Sequence, residues 1–442
     1  NATNGSISLT GNSTNGTGLQ LNGTNTLNAT NGSISLTGNS TNGTGLFLGG
    51  NKTLSASNGN INLTGNSQKG VGLYLGERNN TNTLTATNGS INLNGVSETK
   101  SAIEIRGSNT LTADNINLTG NSTNGMGIDV QGASNTLTAT NGSISLTGHS
   151  DDNIGVSLSG SSSWDATNIT ITGSSSWNGS TFSEDVYVRR GIQLDGNLTF
   201  TGNVAINGTG EGGSGVALRT LVNLTFNNGT AIINGTSTGH SVNDIYTAGI
   251  GLHSYIGETD ITNIILNNSN LTMNGHSQNA AGIGGWSDSD TKTKWNISGN
   301  GNVTINGSSV EMDGFRTISI NATGLNGSVA LFGKSTNGSG VKITKTEMSN
   351  VTISGSATGN GSGVDISGDN TLTNTTVSGN GTDGAGVSIS GNLSNSGNST
   401  VTGNASGNGN GVNISGNITD GVISGSATGN GAGVDISGDS TL

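Results

Sequence analysis

The sequence predicts an all-β fold, a right-handed parallel β-helix (a β-solenoid) with three short strands per coil of about 21–30 residues. Three observations predict it. A unit repeats along the chain. Inside it, apolar residues recur in pairs two positions apart. Between the pairs lie runs of Gly, Asn, Ser and Thr, and proline is absent from the whole chain.

The repeat comes first. Asn1–Leu19 returns letter for letter as Asn28–Leu46, a unit of 27 residues, in the range expected of solenoids and propellers. A propeller blade would need about 40–50 residues and four strands, and no such period is visible. Within the unit the pairs are Ile7 with Leu9, Leu19 with Leu21, and Leu27 with Ala29. A spacing of two puts both side chains on one face of a strand. Later copies drift in their other letters yet keep this spacing: Ile61 and Leu63, Leu73 and Leu75, Leu84 and Ala86, then Ile91 and Leu93, Ile103 and Ile105, Leu111 and Ala113. Variable residues occupy the alternate positions, among them Gln20, Tyr74, Glu104 and Asp129, which the pattern turns outward.

One unit cannot bury its own apolar face, but stacked units can, because equivalent positions align into rows. Gly and Asn suit the tight corners between strands. The lack of Pro fits strands that each need an N–H for the ladder. The far end repeats the grammar, since Ile353–Asp369 and Ile423–Asp439 differ only at Ser362 and Ala432. On the order of 17 coils at ~4.8 Å each would form a rod roughly 80 Å long. The pattern divides into regular coils over 1–172, an irregular stretch with projecting loops or extra strands over 173–295, and regular coils over 296–442.

Composition narrows the function. Of 442 residues, 78 are Gly, none is Cys and 9% are charged. The net charge of −12 argues against nucleic acid and against a polybasic membrane surface. Without Cys there is no disulfide framework or thiolate metal site. Asn1 lies within the repeat, with no initiating Met, signal peptide or apolar run of membrane-spanning length. The chain is expected to be a segment of a longer protein.

The phrase Thr83-Leu84-Thr85-Ala86-Thr87-Asn88-Gly89-Ser90-Ile91-Asn92-Leu93, with its second copy at 136–146, resembles the large exoproteins of bacterial two-partner secretion, of the filamentous-haemagglutinin and high-molecular-weight adhesin type. The resemblance covers the regular regions and lies in the repeat. It implies a β-helical rod threaded through a partner outer-membrane pore, an extracellular or cell-surface location, and adhesion to a host or neighbouring-cell receptor or glycan. The Asn-Pro motifs of that family's secretion domain are absent from this chain, which has no Pro. Autotransporter passengers look similar at this level. A stalk of a contact-dependent toxin-delivery protein is the alternative function.

About 40 of the 66 Asn head an Asn-x-Ser/Thr triplet, well above what the Ser and Thr content supplies by chance. Such triplets are N-glycosylation acceptors when exposed, and the resemblance implies a dedicated N-glycosyltransferase. Asn12, Asn15, Asn39, Asn42 and Asn121 are the candidates, read as corner residues. The opposing reading is that Asn-Gly-Ser is good corner chemistry, copied with the repeat.

Polysaccharide-cleaving β-helices need carboxylates gathered on neighbouring coils. The pairs Asp151-Asp152, Glu184-Asp185 and Asp288 with Asp290 have no partner set nearby, so no enzyme is expected, nor any metal or cofactor. His149, His240 and His276 each replace the Asn of a Gly-Asn-Ser and read as isolated surface exchanges. All four Trp fall in 164–295. Trp164 takes the inward slot that Leu137 holds one coil earlier. Trp177, Tyr187, Arg189, Tyr246, Tyr255, Trp286 and Trp295 form the expected ligand-binding set, since aromatic and Arg side chains dominate recognition surfaces. Trp286 and Trp295, flanking the polar run 287–294, are expected to be exposed.

Overall fold

The structure, a computed structural model, describes every residue except 177–188, 220, 239–246, 254–259, 286–292, 318, 345–346 and 438–442. Among the described residues there is no helix, and many strands stack in a large sheet, as in a β-solenoid. Contacts divide the chain into two compact units. The first is Asn1–Glu211 with Leu224–Thr230, and the second is Gly212–Asn223 with Ala231–Leu442.

In the first unit the strands Ile7–Ser13, Ile34–Ser40 and Ile61–Ser67 lie parallel and in register, so that Ile7, Ile34 and Ile61 form one row and Leu9, Leu36 and Leu63 another. Leu19–Leu21, Leu46–Leu48 and Leu73–Leu75 stack the same way. A third row runs from Asn25–Ala29 through Lys52–Ala56 into Thr81–Ser97. These inward positions hold Ile, Leu and Ala that are fully buried from Ile34 onward. Each buried aliphatic side chain contributes about 1.5–3 kcal/mol relative to exposure. Stacking therefore gives this unit a continuous core although the chain is poor in apolar residues.

Two glycine positions make the coil possible. A Cβ on Gly38 would stand 2.1 Å from the Gly45 oxygen, so only glycine lets the first strand close onto the second. Gly50 adopts φ 79°, a left-handed corner between the second and third strands, where a Cβ would also meet the Gly23 oxygen at 2.5 Å.

Polar rows reinforce the stack. On the outer surface Asn39 donates to Asn12 and Asn66 to Asn39, each at 2.8 Å. A second ladder is internal: Asn82 donates to Asn109 at 2.9 Å, and Asn109 to Asn135 at 2.8 Å, with all three side chains buried. Lys52 precedes Asn82 in that row and donates from Nζ to the Gly49 and Gly23 carbonyls, which makes a buried ammonium tolerable. Trp164 is buried in register with Leu137 on one side and Phe200 on the other, as its phase in the repeat requires. Its indole meets Phe200 edge-on at 5.5 Å, and Phe200 stacks on Phe226 at 5.8 Å.

The second unit repeats the scheme. Val303–Ser309, Val329–Ser335 and Val351–Ala357 stack in register, and so do Val341–Thr344, Val364–Ser367 and Val387–Ser390. Hydrogen-bonded neighbours stand 22–24 residues apart in its last coils.

Candidate functional site

A strand of three residues such as Leu73–Leu75 turns its two leucines inward and its middle residue outward. In the first unit these middle positions stack into a row of large side chains: Phe47, Tyr74, Glu104, Asp129. The Phe47 and Tyr74 rings lie 5.3 Å apart and tilted by 32°. Arg106, two residues beyond Glu104 on the same face, sets its guanidinium 2.9 Å from the Asp129 carboxylate and 3.4 Å from that of Glu104. Gln131 donates from Nε2 to both Asp129 oxygens at 3.1 and 3.2 Å.

Burial pushes the Asp129 carboxyl up to about 6. The nearby Arg106 guanidinium pulls it down and Glu104 adds to the rise, but desolvation wins because the side chain is only 3% exposed. The Tyr74 phenol is also raised, by burial first and then by Glu104, with Arg106 acting against them. It is therefore neutral at physiological pH and can donate a hydrogen bond. Glu104 and Asp129 are neighbouring-coil carboxylates, an arrangement that the sequence reading did not find. Its search followed adjacent acidic letters, whereas this pair is joined by register across 25 residues of chain.

A second feature lies in the second unit, along the outer side of the strand row that carries Gly235, Gly275, Gly307, Gly333 and Gly355. At each of these glycines a Cβ would meet the carbonyl of a following glycine at about 2 Å, and the row lines an open groove of about 470 Å³. Asn274 donates to Asn234 at 2.8 Å and Asn306 to Asn274 at 2.7 Å along its wall. Phe332 follows in the same row, 41% exposed.

The residues expected to bind ligand fare differently. Trp177, Tyr187, Tyr246, Tyr255 and Trp286 lie outside the described residues. Arg189 is half-buried with its guanidinium 3.5 Å from Asp152. The expected exposure of Trp295 is corrected: it is fully buried, in register between Thr262 and Ile320. Its phase explains this, for it precedes the inward Ile297 by two residues and so shares its face. A side chain without exposed surface cannot anchor a ligand.

The corner reading of Asn12, Asn39 and Asn121 is also corrected. They lie within strands, on the outward face, because the first strand runs seven residues and the turn begins only after Ser13. Asn15 and Asn42 do occupy the turn, and Asn42 donates to Asn15 at 2.9 Å. Asn12, Asn15, Asn42 and Asn121 are exposed, and Asn39 is half-buried. His149 stacks in register between Asn121 and Ser174, as a replaced Asn should, with Nδ1 2.8 Å from the Ser174 hydroxyl.

No protein-family model matches the chain, and no curated protein matches it either.

Proposed function

We propose that the chain is a stretch of right-handed β-helix, three strands to the coil, that serves as an extracellular adhesin segment on a bacterial surface. In this reading it belongs to an exoprotein of the two-partner type, exported through an outer-membrane pore, and it attaches to glycans on host or neighbouring cells. One observation carries the adhesive role: the Phe47–Tyr74–Glu104–Asp129 row with Arg106 across it. A sugar offers an apolar C–H face and a rim of hydroxyls. Two adjacent rings take the face, while Glu104 and Arg106, both partly exposed, take the rim. Binding fits this row better than bond cleavage does. Asp129 is too deeply covered to reach a glycosidic oxygen, and a general acid must come within hydrogen-bond distance of it.

The triplets fit the same exported setting. An Asn amide in an outer ladder spends one N–H on its neighbour and retains the other, which is the one an N-glycosyltransferase would replace.

The test is Phe47→Ala combined with Tyr74→Ala, read on a glycan array and by attachment of the labelled chain to cells. Binding should fall at least about tenfold while the β-sheet circular dichroism stays unchanged. Undiminished binding by a folded double variant would remove the row from the function.

A further inference from the structure

We infer that the groove of the second unit is a separate binding site for an extended, neutral polysaccharide, laid lengthwise with one sugar ring to each coil. The inference does not depend on export or adhesion, and it shares no residue with the Phe47–Tyr74 row.

Three observations point to this ligand. The groove is built by repetition. Residues from six successive strands line it, and the Asn234–Asn274–Asn306 ladder offers the same amide on the first three of them. Strands stack at ~4.8 Å, close to the advance of one ring along an extended polysaccharide, so a repeating polymer meets the same groups coil after coil. The groove is also open along its length rather than closed around a small molecule. Its charge is the second point. Among the described residues no carboxylate lines it, although the chain carries 26 acidic residues. The polar side chains there are amides and hydroxyls, with one ammonium, Lys334, and one imidazole, His276, whose Nδ1 lies 2.9 Å from the Ser308 hydroxyl. Hydroxyl-rich rings both donate to and accept from such groups, whereas a single cation cannot balance a polyanion.

The third observation is Phe332. It continues the Asn234–Asn274–Asn306 row, so its ring replaces an amide where the ladder ends. An exposed phenyl at that point costs solubility and adds nothing to the core, which Val329 and Leu331 already fill. It offers a flat face on which one ring of the chain can stack, with Lys334 two residues on to donate to that ring's oxygens.

The experiment is calorimetric titration of the chain with cello-oligosaccharides of graded length, and with oligogalacturonates matched in length. Affinity for the neutral series should climb with length and level off near six rings, the number of strands lining the groove, and should be indifferent to salt. Phe332→Ala should lose roughly tenfold in affinity and Phe332→Trp should retain it, with unchanged circular dichroism in both. The Phe47→Ala and Tyr74→Ala variant should bind like the parent, which separates this site from the adhesive row. The inference fails if no neutral oligomer binds, if affinity does not depend on length, if folded Phe332→Ala binds normally, or if only the uronates bind and salt abolishes it.

Discussion

The leading coils and the trailing coils turn the same corner with different chemistry. The first strand of the leading coils ends on a buried Ser. Ser67 donates to the Gly43 carbonyl at 2.6 Å and accepts from the Gly70 N–H at 2.7 Å, tying its own turn to the one before. Ser40, Ser97, Ser122 and Ser150 do likewise. In the trailing coils the row changes at Ala357, which aligns with Ser335, and continues as Gly381, Ala405 and Ala427. After Ala357, Ala405 and Ala427 the turn is one residue longer and richer in Gly, as in Ala357-Thr358-Gly359-Asn360-Gly361-Ser362-Gly363, whereas after Gly381 it keeps the leading length. A side-chain hydrogen bond has been exchanged for backbone freedom. The solenoid thus constrains the inward apolar rows tightly and the corner chemistry loosely.

The apolar rows are what both regions share, and breaking them should have the largest effect. Ile91→Asp in the leading coils and Ile353→Asp in the trailing ones each place a carboxylate where no water reaches. Each should cost several kcal/mol or force protonation, seen as a marked loss of melting temperature. Thr53→Lys, on an exposed outward position, should stay within about 0.5 kcal/mol. Equal effects at inward and outward sites would refute the stacked-row assignment.

A smaller effect belongs to the leading coils. Because burial raises Asp129 from 3.8 to about 6, its contribution to stability is fully present below pH 3.8 and is lost as pH rises through about 6. Melting curves of the parent and of Asp129→Asn should converge in acid. They should separate progressively between about pH 4 and pH 6 and stay apart above that, with the variant the more stable by on the order of 2–3 kcal/mol. A constant gap at all pH values would mean that the carboxyl ionises normally.

The smallest change tests the corners directly. Ser67→Ala removes both hydrogen bonds from a half-buried turn and should cost about 1 kcal/mol. Ala357→Ser, entering a turn of another length, should gain little. If both substitutions shift the denaturation midpoint equally and in opposite directions, the two corner types are interchangeable and the comparison collapses.

Much of the fold was legible because its signal is local. Pairs such as Ile91 and Leu93 announce an inward face within three residues, and the parity that buries Trp164 can be counted from the preceding coil. The site was less legible because it is assembled between coils. Tyr74, Glu104 and Asp129 were recognisable as outward residues, but their contact depends on strand offsets of 30 and then 25 residues, which no fixed period supplies. Weight given to departures from the rhythm drew attention to 173–295, whereas Phe47 and Phe332 sit in phase with it. At Trp295 the polar neighbours spoke for exposure and the parity with Ile297 spoke for burial. Parity decided, since a strand cannot turn one side chain without turning its neighbours.

The residue-for-residue register of the first coils has an evolutionary consequence. Asn28 lies opposite Ser55 and Leu27 opposite Leu54, so removing residues 28–54 would join Leu27 to Ser55 without a change of phase. Ile7 would then rest on Ile61, and Leu9 on Leu63, in the contacts that Ile34 and Leu36 now make with them. Unequal exchange between near-identical stretches of the gene would produce such deletions and the matching insertions. Length is then a quantity that recombination can adjust in whole coils, while each surviving coil keeps neighbours of the same kind.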